Sequence, residues 1–407
     1  MRLVVVLEHR FVVTPDGRAW TRTNYGTTFW HRYLTAFDTV AVVARAVAQP
    51  SVHPTYRCVN GPGVEFVAVP YYVGPYQYLQ RRVQVRARLH GLLAEPDAFL
   101  CRVGSQLASD LLPAFWRAGR PYGLEVVGDP YDLFSPGAIR HPLRPFFRHW
   151  ATRNLKLECA RAGAVSYVTT GALQRRYPGA SEAVMYAASD VELPAGDFRD
   201  APRRFGPEAP STRERSLLFV GSLAQLYKAP DVLIRAVHLL AQAGRPVRLT
   251  IVGDGRHRLE LERLVRSLSV EANVTFLGEL PSGAAIRDQL DRAALFVLPS
   301  RQEGLPRALV EAMARALPSI GTTVGGIPEL LEAEDLVPLN DAGALADKID
   351  EVLSSPERLT RMSARNLKKT QEFRTEALER ERTRFYRDLR ARTEAWLASG
   401  SGLARTA

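Results

Sequence analysis

The chain has 407 residues, more than one ordinary hydrophobic core needs, and its length suits two domains of about 200 residues each. Its 46% hydrophobic and 24% charged residues exclude a largely disordered chain, and the net charge of +11 favours anionic partners: nucleotides, nucleic acid or anionic lipid. Three scattered cysteines (Cys58, Cys101 and Cys159) suit neither a disulfide framework nor a metal cluster.

The first apolar run, at residues 3–7, is shorter than the roughly 7 to 15 residues of a signal-peptide core and is predicted to be a buried strand. No run reaches the roughly 18 to 20 residues of a membrane span. Together with the cysteine usage, these features predict a cytoplasmic protein.

Short apolar runs alternate with helix-like segments along the first half. Helices are predicted at 76–93 and 106–118. Strands are predicted at 3–7, 40–44, 64–69, 98–101, 124–127 and 164–168.

The second half repeats this alternation more regularly. Strands are predicted at 217–220, 249–252, 274–277, 295–298 and 319–322, with helices at 231–243, 258–268, 284–293 and 307–316. Continuous apolar strands between helices indicate parallel sheets covered on both faces. We therefore predict an α/β fold of two Rossmann-like, doubly wound domains facing across a cleft.

The domains are predicted at 1–200 and 216–374. A linker rich in Pro, Gly, Arg and Glu joins them at 201–215. A charged helix at 375–398 either crosses back to the first domain or stays on the second.

One segment of the second half combines a strand, a short loop and a helix. The strand ends at Pro299, the loop carries Glu303 and Gly304, and Pro306 suits the first helical position. Such a helix start presents free N–H groups and holds phosphate well.

Leu305 and Arg307 add N–H groups to this predicted phosphate site. Glu303 then lies just beyond the phosphate, and the Glu311 carboxylate can accept two hydrogen bonds from a vicinal diol such as ribose. Eight helical residues rise about 12 Å. That is wider than the roughly 5 to 9.5 Å between the carboxyl groups of a glycosidase pair, which argues against a glycosidase.

The segment resembles the E-x7-E signature of retaining glycosyltransferases of family 4, which have the GT-B fold. The stretches 219–223, 251–255, 276–280 and 322–330 resemble the neighbouring segments of that family, so the resemblance covers about 215–355. It implies that Glu303 contacts hydroxyls of the donor sugar and Glu311 the ribose. It also implies that Lys228 contacts the donor diphosphate and that the backbone near Leu280 reads the base.

Gly221 and Ser222 precede Lys228 and are predicted to face the donor. The family usually has Arg where this chain has Ser222. Either Arg256, Arg258 or Arg301 replaces that cation, or Ser222 donates a hydrogen bond instead.

The first domain is predicted to bind the acceptor. Gly26, after the first strand, is either a donor-phosphate contact or an ordinary loop glycine. Many family members have a His after the strand at 124–127, and this chain has none there. Asp129 is the predicted aid to acceptor deprotonation, with Glu125 and Asp132 as alternatives.

The predicted activity is retaining transfer of a sugar from a UDP- or GDP-linked donor, UDP favoured, to a hydroxyl of a glycan, a lipid-linked glycan or a small metabolite. The alternatives are a GT-B sugar phosphorylase and a non-catalytic nucleotide- or anion-binding protein. No further cofactor, no metal and no nucleic acid is predicted, since no Asp-x-Asp follows a strand of the second domain and no nucleic-acid module is visible.

The segment 140–161, from Arg140 to Arg161, interleaves basic residues with Phe146, Phe147 and Trp150. Such a helix either contacts an anionic membrane surface or packs its aromatic residues on its own domain. The first alternative would place the protein at the inner face of the membrane.

Overall fold

The computed structural model describes residues 1–134, 142–206 and 215–400. Arg140 and residues 207–214 of the predicted linker lie outside them. The chain divides into two compact units. Unit 1 comprises Met1–Pro130, His149–Ala188 and Glu379–Ala407, and unit 2 comprises Tyr131–Arg148 and Ser189–Leu378.

Nine strands are described in unit 1 and six in unit 2. In unit 1 they are β1 (Arg2–Val13), β2 (Ala19–Thr21), β3 (Thr39–Ala48), β4 (Arg57–Cys58), β5 (Val64–Pro70), β6 (Ala98–Val103), β7 (Gly123–Val126), β8 (Ala164–Tyr167) and β9 (Val184–Ala187). In unit 2 they are β10 (Ser216–Val220), β11 (Arg248–Val252), β12 (Val274–Gly278), β13 (Leu295–Leu298), β14 (Ser319–Thr322) and β15 (Leu336–Val337).

Helices follow most of these strands. The first six are α1 (Thr27–Trp30), α2 (Gly74–His90), α3 (Gln106–Ala118), α4 (Pro130–Leu133), α5 (Arg144–Cys159) and α6 (Ala172–Arg176). The others are α7 (Pro230–Gln242), α8 (Arg258–Ser267), α9 (Ala284–Arg292), α10 (Arg307–Ala314), α11 (Ile327–Leu330), α12 (Ala342–Leu353), α13 (Pro356–Lys369) and α14 (Thr375–Ala398). None of these described helices is both long and apolar enough to cross a membrane.

Unit 1 is built on a parallel sheet in the order β5-β3-β1-β6-β7-β8-β9. Strands β2 and β4 add a short antiparallel extension beside the end of β1. β1 continues beyond the predicted Leu7 because Phe11 and Val12 are again buried, and Val12 pairs with Trp20 of β2.

Both faces of this sheet are covered. On one face α2, α3 and α5 contribute buried side chains such as Val85, Leu111 and Leu155. On the other, Phe385 and Leu389 of α14 pack with residues of β1, β3 and β6, so the end of the chain completes the core of unit 1.

Unit 2 has six described parallel strands in the order β12-β11-β10-β13-β14-β15. The chain first adds strands on one side of β10 and then, from β13, on the other. The boundary between β10 and β13 is therefore a topological switch point, where ligands of open α/β sheets bind beyond the carboxyl ends of the strands. The predicted fold class, two Rossmann-like α/β domains, is confirmed.

Candidate functional site

Two loops meet at the switch point of unit 2. β10 and β13 are neighbours, with Leu217 opposite Leu295, so the loops after them leave the same edge of the sheet. The first carries Lys228 and the second Glu303. The Lys228 ammonium donates to Oε1 of Glu303 at 2.6 Å, so the structure brings these two predicted residues into direct contact.

A second side chain, that of Ser300, also binds the Glu303 carboxylate. The Ser300 hydroxyl donates to the same Oε1 at 2.9 Å, and the Thr322 hydroxyl donates to the Ser300 carbonyl at 2.6 Å. Glu303 is 8% exposed in its side chain and Lys228 12%. The pair is thus largely shielded from water, and a ligand phosphate would compete with Glu303 for the ammonium.

Arg301 fixes the turn that carries Lys228. Its backbone N–H donates to the Tyr227 carbonyl at 2.7 Å, and its Nη1 donates to the Leu226 carbonyl at 2.7 Å. Both ends of its guanidinium also bind Asp231 at the start of α7. The loop after β13 therefore sets the position of Lys228 as well as that of Glu303.

Two glycines in the neighbouring loops, Gly253 after β11 and Gly325 after β14, let those loops approach the backbone of the two loops of the site. A Cβ on Gly253, whose φ is 140°, would lie 1.9 Å from the Gly221 carbonyl oxygen. One on Gly325, whose φ is 53°, would lie 1.8 Å from the Glu303 carbonyl oxygen. No other residue type fits either position without displacing a loop of the site.

The start of α10 differs slightly from the prediction. Pro306 has an extended ψ of 108° and precedes the helix, which begins at Arg307 rather than at Pro306. The Gly304 carbonyl accepts from Gly326 N–H at 2.7 Å. Within the described residues, no hydrogen bond occupies the N–H groups of Gly304 and Leu305, so both can donate to an anion.

The two predicted contacts farther along the donor lie in α10 and after β12. Glu311 faces Arg307 at 3.6 Å, and burial raises the pKa of its carboxyl above the usual value. Leu280 lies just beyond β12 and is partly buried against the core of unit 2.

The three arginines considered as a replacement for the missing cation have different partners in the structure. Arg258 is paired with Asp254 at 3.0 Å and with Glu262 at 2.9 Å, and Arg301 is paired with Asp231.

Arg256 is exposed, and in the described part of the chain its one side-chain hydrogen bond goes to His257 at 3.3 Å. Ser222 accepts from Ala224 N–H at 3.2 Å. Arg256 is therefore the candidate whose cation is not neutralised by a carboxylate within the described residues.

Two predicted carboxylates of unit 1, those of Asp129 and Glu125, are bound to other side chains of that unit. Asp129 accepts from Tyr177 at 2.5 Å and is ion-paired with Arg176. Glu125 is buried and accepts from Tyr33 at 3.0 Å and from Tyr386 at 3.1 Å. Both carboxylates are thus tied into structural networks.

The remaining predicted residues of unit 1 can be placed as follows. Gly26 precedes the four-residue α1, and its carbonyl accepts from Phe29 N–H at 2.9 Å. Asp132 lies in α4. Of the aromatic residues in α5, Phe146 is 61% exposed and Trp150 39%. The described residues contain no group of three His, Cys, Asp or Glu side chains that could hold a metal.

Sequence reasoning missed Ser300 and the role of Arg301. Ser300 is fully buried beside the apolar strand 295–298, and a polar residue in such a place is the one signal that could have suggested a bonded partner for Glu303. The Arg301–Asp231 contact joins residues 70 positions apart in sequence and leaves no local signal.

Comparison with known proteins supports the interpretation of unit 2. Residues 214–355 match the family model described as Glycosyl transferases group 1. Protein CapJ of Staphylococcus aureus is 24% identical over 356 residues, which are 87% of either chain. N-acetyl-alpha-D-glucosaminyl L-malate synthase of Bacillus anthracis is 30% identical over 183 residues, 44% of this chain and 47% of that protein.

Among solved structures, HepE of Anabaena in complex with UDP aligns with a TM-score of 0.64 and 16% identity, covering 93% of this chain and 98% of HepE. At this identity the structural likeness establishes the fold alone. The family model thus matches most of unit 2, and HepE shares the fold of two Rossmann-like domains.

Proposed function

We propose that this protein is a retaining glycosyltransferase that uses a nucleoside-diphosphate sugar, most simply a UDP-linked one. The Lys228–Glu303 pair at the β10/β13 switch point carries the proposal. It joins a cation suited to a diphosphate and a carboxylate suited to sugar hydroxyls, at the edge where α/β sheets bind ligands. HepE, which has been crystallised with UDP and with UDP-glucose, supports the choice of UDP.

The donor is proposed to lie along the loop after β13 and the helix that follows it. Its diphosphate meets Lys228 and the N–H groups of Gly304 and Leu305. The sugar hydroxyls donate to Glu303, and the ribose hydroxyls donate to Glu311. Gly221, Ser222 and the backbone near Leu280 complete the contacts with the nucleotide.

In the proposed reaction an acceptor hydroxyl oxygen forms a bond to the anomeric carbon on the face from which the diphosphate leaves. The bond between the anomeric carbon and the diphosphate oxygen breaks, and that oxygen takes the proton of the acceptor. Lys228 and the free N–H groups stabilise the charge that develops on the leaving group. Because the oxygens of Asp129 already bind Arg176 and Tyr177, we assign the proton to the leaving phosphate rather than to Asp129.

The donor class can be tested by thermal shift with UDP, GDP, ADP and NAD. A ligand at 100 times its dissociation constant stabilises the protein by about 2.7 kcal/mol, and we expect this for UDP or GDP. Stabilisation by NAD and by no nucleoside diphosphate would overturn the proposal.

Retention can be tested by NMR of the product formed from the stabilising donor and a mixed acceptor pool. The product should keep the anomeric configuration of the donor, and an inverted product would exclude the same-face reaction. Cleavage of glycosides that requires inorganic phosphate would indicate a phosphorylase instead. Activity should survive EDTA, and its loss and recovery with magnesium would contradict a metal-independent enzyme.

A further inference from the structure

Unit 1 contains a pocket of about 570 Å³ among the turns that precede three of its strands. Residues 115–122 lead into β7, residues 160–163 into β8 and residues 180–183 into β9, and Arg392 of α14 completes the lining. Every lining residue belongs to unit 1. Small-molecule sites have roughly 300 to 1,000 Å³. The pocket, which we call the amino-edge pocket, is therefore large enough for a small metabolite.

The amino-edge pocket is separate from the edge at which open α/β sheets bind their ligands. Strands β7, β8 and β9 are parallel, so their amino ends share one edge of the sheet. Each has four residues, and a strand rises about 3.3 Å per residue, so about 13 Å separate the pocket from the carboxyl edge. A molecule in the pocket is therefore not an acceptor held for transfer at that edge.

The charged side chains of the pocket are those of Arg120, Arg161, Glu182 and Arg392. Arg120 is 7% exposed and donates to three backbone carbonyls of the segment 93–97 at 2.7, 2.8 and 2.9 Å. Burial lowers the pKa of its guanidinium below the usual value. Arg120 forms no ion pair within the described residues, so an anion in the pocket would stabilise its charge.

The other two arginines also lack a carboxylate partner in the described part of the chain. Arg161 stacks on the ring of Trp116, with its guanidinium carbon 4.5 Å from the ring centre. Arg392 donates to the backbone carbonyl of Glu182 at 2.8 Å. Both can therefore turn their remaining N–H groups to an anion without breaking an ion pair.

The helices that end at the pocket reduce its positive charge without cancelling it. α3 ends at Ala118 and α5 at Cys159, and the carboxyl end of a helix carries about half a negative charge. Glu182 adds a full negative charge. The three guanidinium groups still leave the lining positive by about one charge. The pocket therefore favours an anion.

A sugar phosphate matches both kinds of charge in the pocket. Guanidinium groups bind phosphate oxygens at two points, and Glu182, which has no ion pair among the described residues, can accept from hydroxyls. We propose that the amino-edge pocket binds a small sugar phosphate. Because Arg392 lies on α14 and Arg161 on the turn before β8, the bound phosphate fastens α14 to the sheet of unit 1.

The test is isothermal titration of the full chain with ribose 5-phosphate, glucose 6-phosphate and fructose 6-phosphate, with and without saturating UDP. At least one of the three should bind in both conditions with one site per chain, whereas ribose, glucose and fructose should not bind. Inorganic phosphate should bind at least about tenfold more weakly than the best sugar phosphate, because it offers Glu182 no sugar hydroxyl.

Arg161→Gln and Arg392→Gln should each weaken the binding of that sugar phosphate at least about tenfold, because each removes a charged donor to the phosphate. Both should keep the wild-type UDP affinity. Arg384→Gln is the matched control, since Arg384 is an exposed arginine about two turns earlier on α14 and does not line the pocket. It should bind the sugar phosphate like the wild type, and so should Lys228→Ala.

A wild-type chain that binds none of the three sugar phosphates would overturn the proposal. So would equal affinity in Arg161→Gln, Arg392→Gln and the wild type, which would mean that these arginines only complement the helix ends. Loss of binding with UDP present or in Lys228→Ala would assign the sugar phosphate to the donor site. Inorganic phosphate bound as tightly as the sugar phosphates would also contradict the proposal.

Discussion

Arg301 and Asp231 form a two-point ion pair, in which Nη1 and Nη2 of the arginine lie 2.9 and 2.7 Å from the two carboxylate oxygens. The planar guanidinium fork matches a carboxylate in a way that the point charge of lysine cannot. Together with the hydrogen bonds from Arg301 to Tyr227 and Leu226, this pair fixes the turn before Lys228. Arg301 is therefore a positioning residue.

Replacing Arg301 by Lys should weaken UDP binding about tenfold, because the charge remains while the fork is lost. Asp231→Asn should have a similar effect, and the double variant should be little worse than either single variant, since both remove one contact. Isothermal titration with UDP measures all three. Arg384→Lys, an exposed residue of α14, is the control. Full UDP affinity in Arg301→Lys would remove the positioning role.

Replacing Lys228 and replacing Glu303 should affect different steps, the first donor binding and the second catalysis. Lys228→Ala should weaken UDP binding about a hundredfold, because it removes a charge that meets the diphosphate. Glu303→Gln should lower kcat about a hundredfold with a much smaller effect on UDP affinity, because the carboxylate is assigned to the sugar rather than to the nucleotide. Lys348→Ala, which breaks a similar 2.7 Å pair with Glu351, should change neither. Full transfer activity in Glu303→Gln would reject the site assignment.

Gly325→Ala should damage both stability and activity. Its new Cβ would meet the Glu303 carbonyl oxygen at 1.8 Å, so the loop carrying Glu303 must move. Gly244→Ala is a matched control with a φ of 72° and open space around the Cβ. Urea denaturation should show a loss of about 1 kcal/mol for the control and at least about 2 kcal/mol more for Gly325→Ala. Equal losses would mean that the loop accommodates the methyl group.

Glu158 should make stability depend on pH. Burial raises the pKa of its carboxyl to about 7, against 4.5 for an ordinary Glu, and the Ser109 hydroxyl is bonded to it. Between these two pKa values the folded protein holds a proton that the unfolded chain releases. The stabilisation of the folded state by protonated Glu158 is therefore fully present below pH 4.5 and is lost as pH rises towards 7. The loss is about 3 kcal/mol.

Glu158→Gln should remove that dependence. Its free energy of unfolding, measured by denaturation from pH 4.5 to 8, should fall less steeply with pH than that of the wild type. Glu182→Gln, at an exposed position, serves as the control. Parallel profiles for Glu158→Gln and the wild type would show that this carboxyl does not take up the proton.

Most of the strands could be predicted because parallel strands that are buried on both faces consist of short, almost entirely apolar runs. The four missed strands lack that signal. β2 has three residues, β4 and β15 have two each, and β9 alternates half-buried and exposed positions. Their pairing depends on neighbours distant in sequence, such as Trp20 with Cys58.

The site could be predicted only in part. The loop from Glu303 to Gly304 and the lysine at 228 are visible as motifs, but their 2.6 Å contact depends on two loops 75 residues apart. The sequence also could not show which of the three arginines is available as a replacement cation. Nothing in the sequence distinguishes Arg301 and Arg258, which are bound to carboxylates, from Arg256, which has none among the described residues.

The burial of Phe385, Tyr386 and Leu389 of α14 against the first strands has a consequence for protein synthesis. A ribosome makes β1 first and α14 more than 350 residues later. Unit 2, whose main segment is continuous from Ser189 to Leu378, leaves the ribosome before the helix that unit 1 needs. The apolar face that α14 covers in unit 1 can therefore be covered only after the main segment of unit 2 has been synthesised.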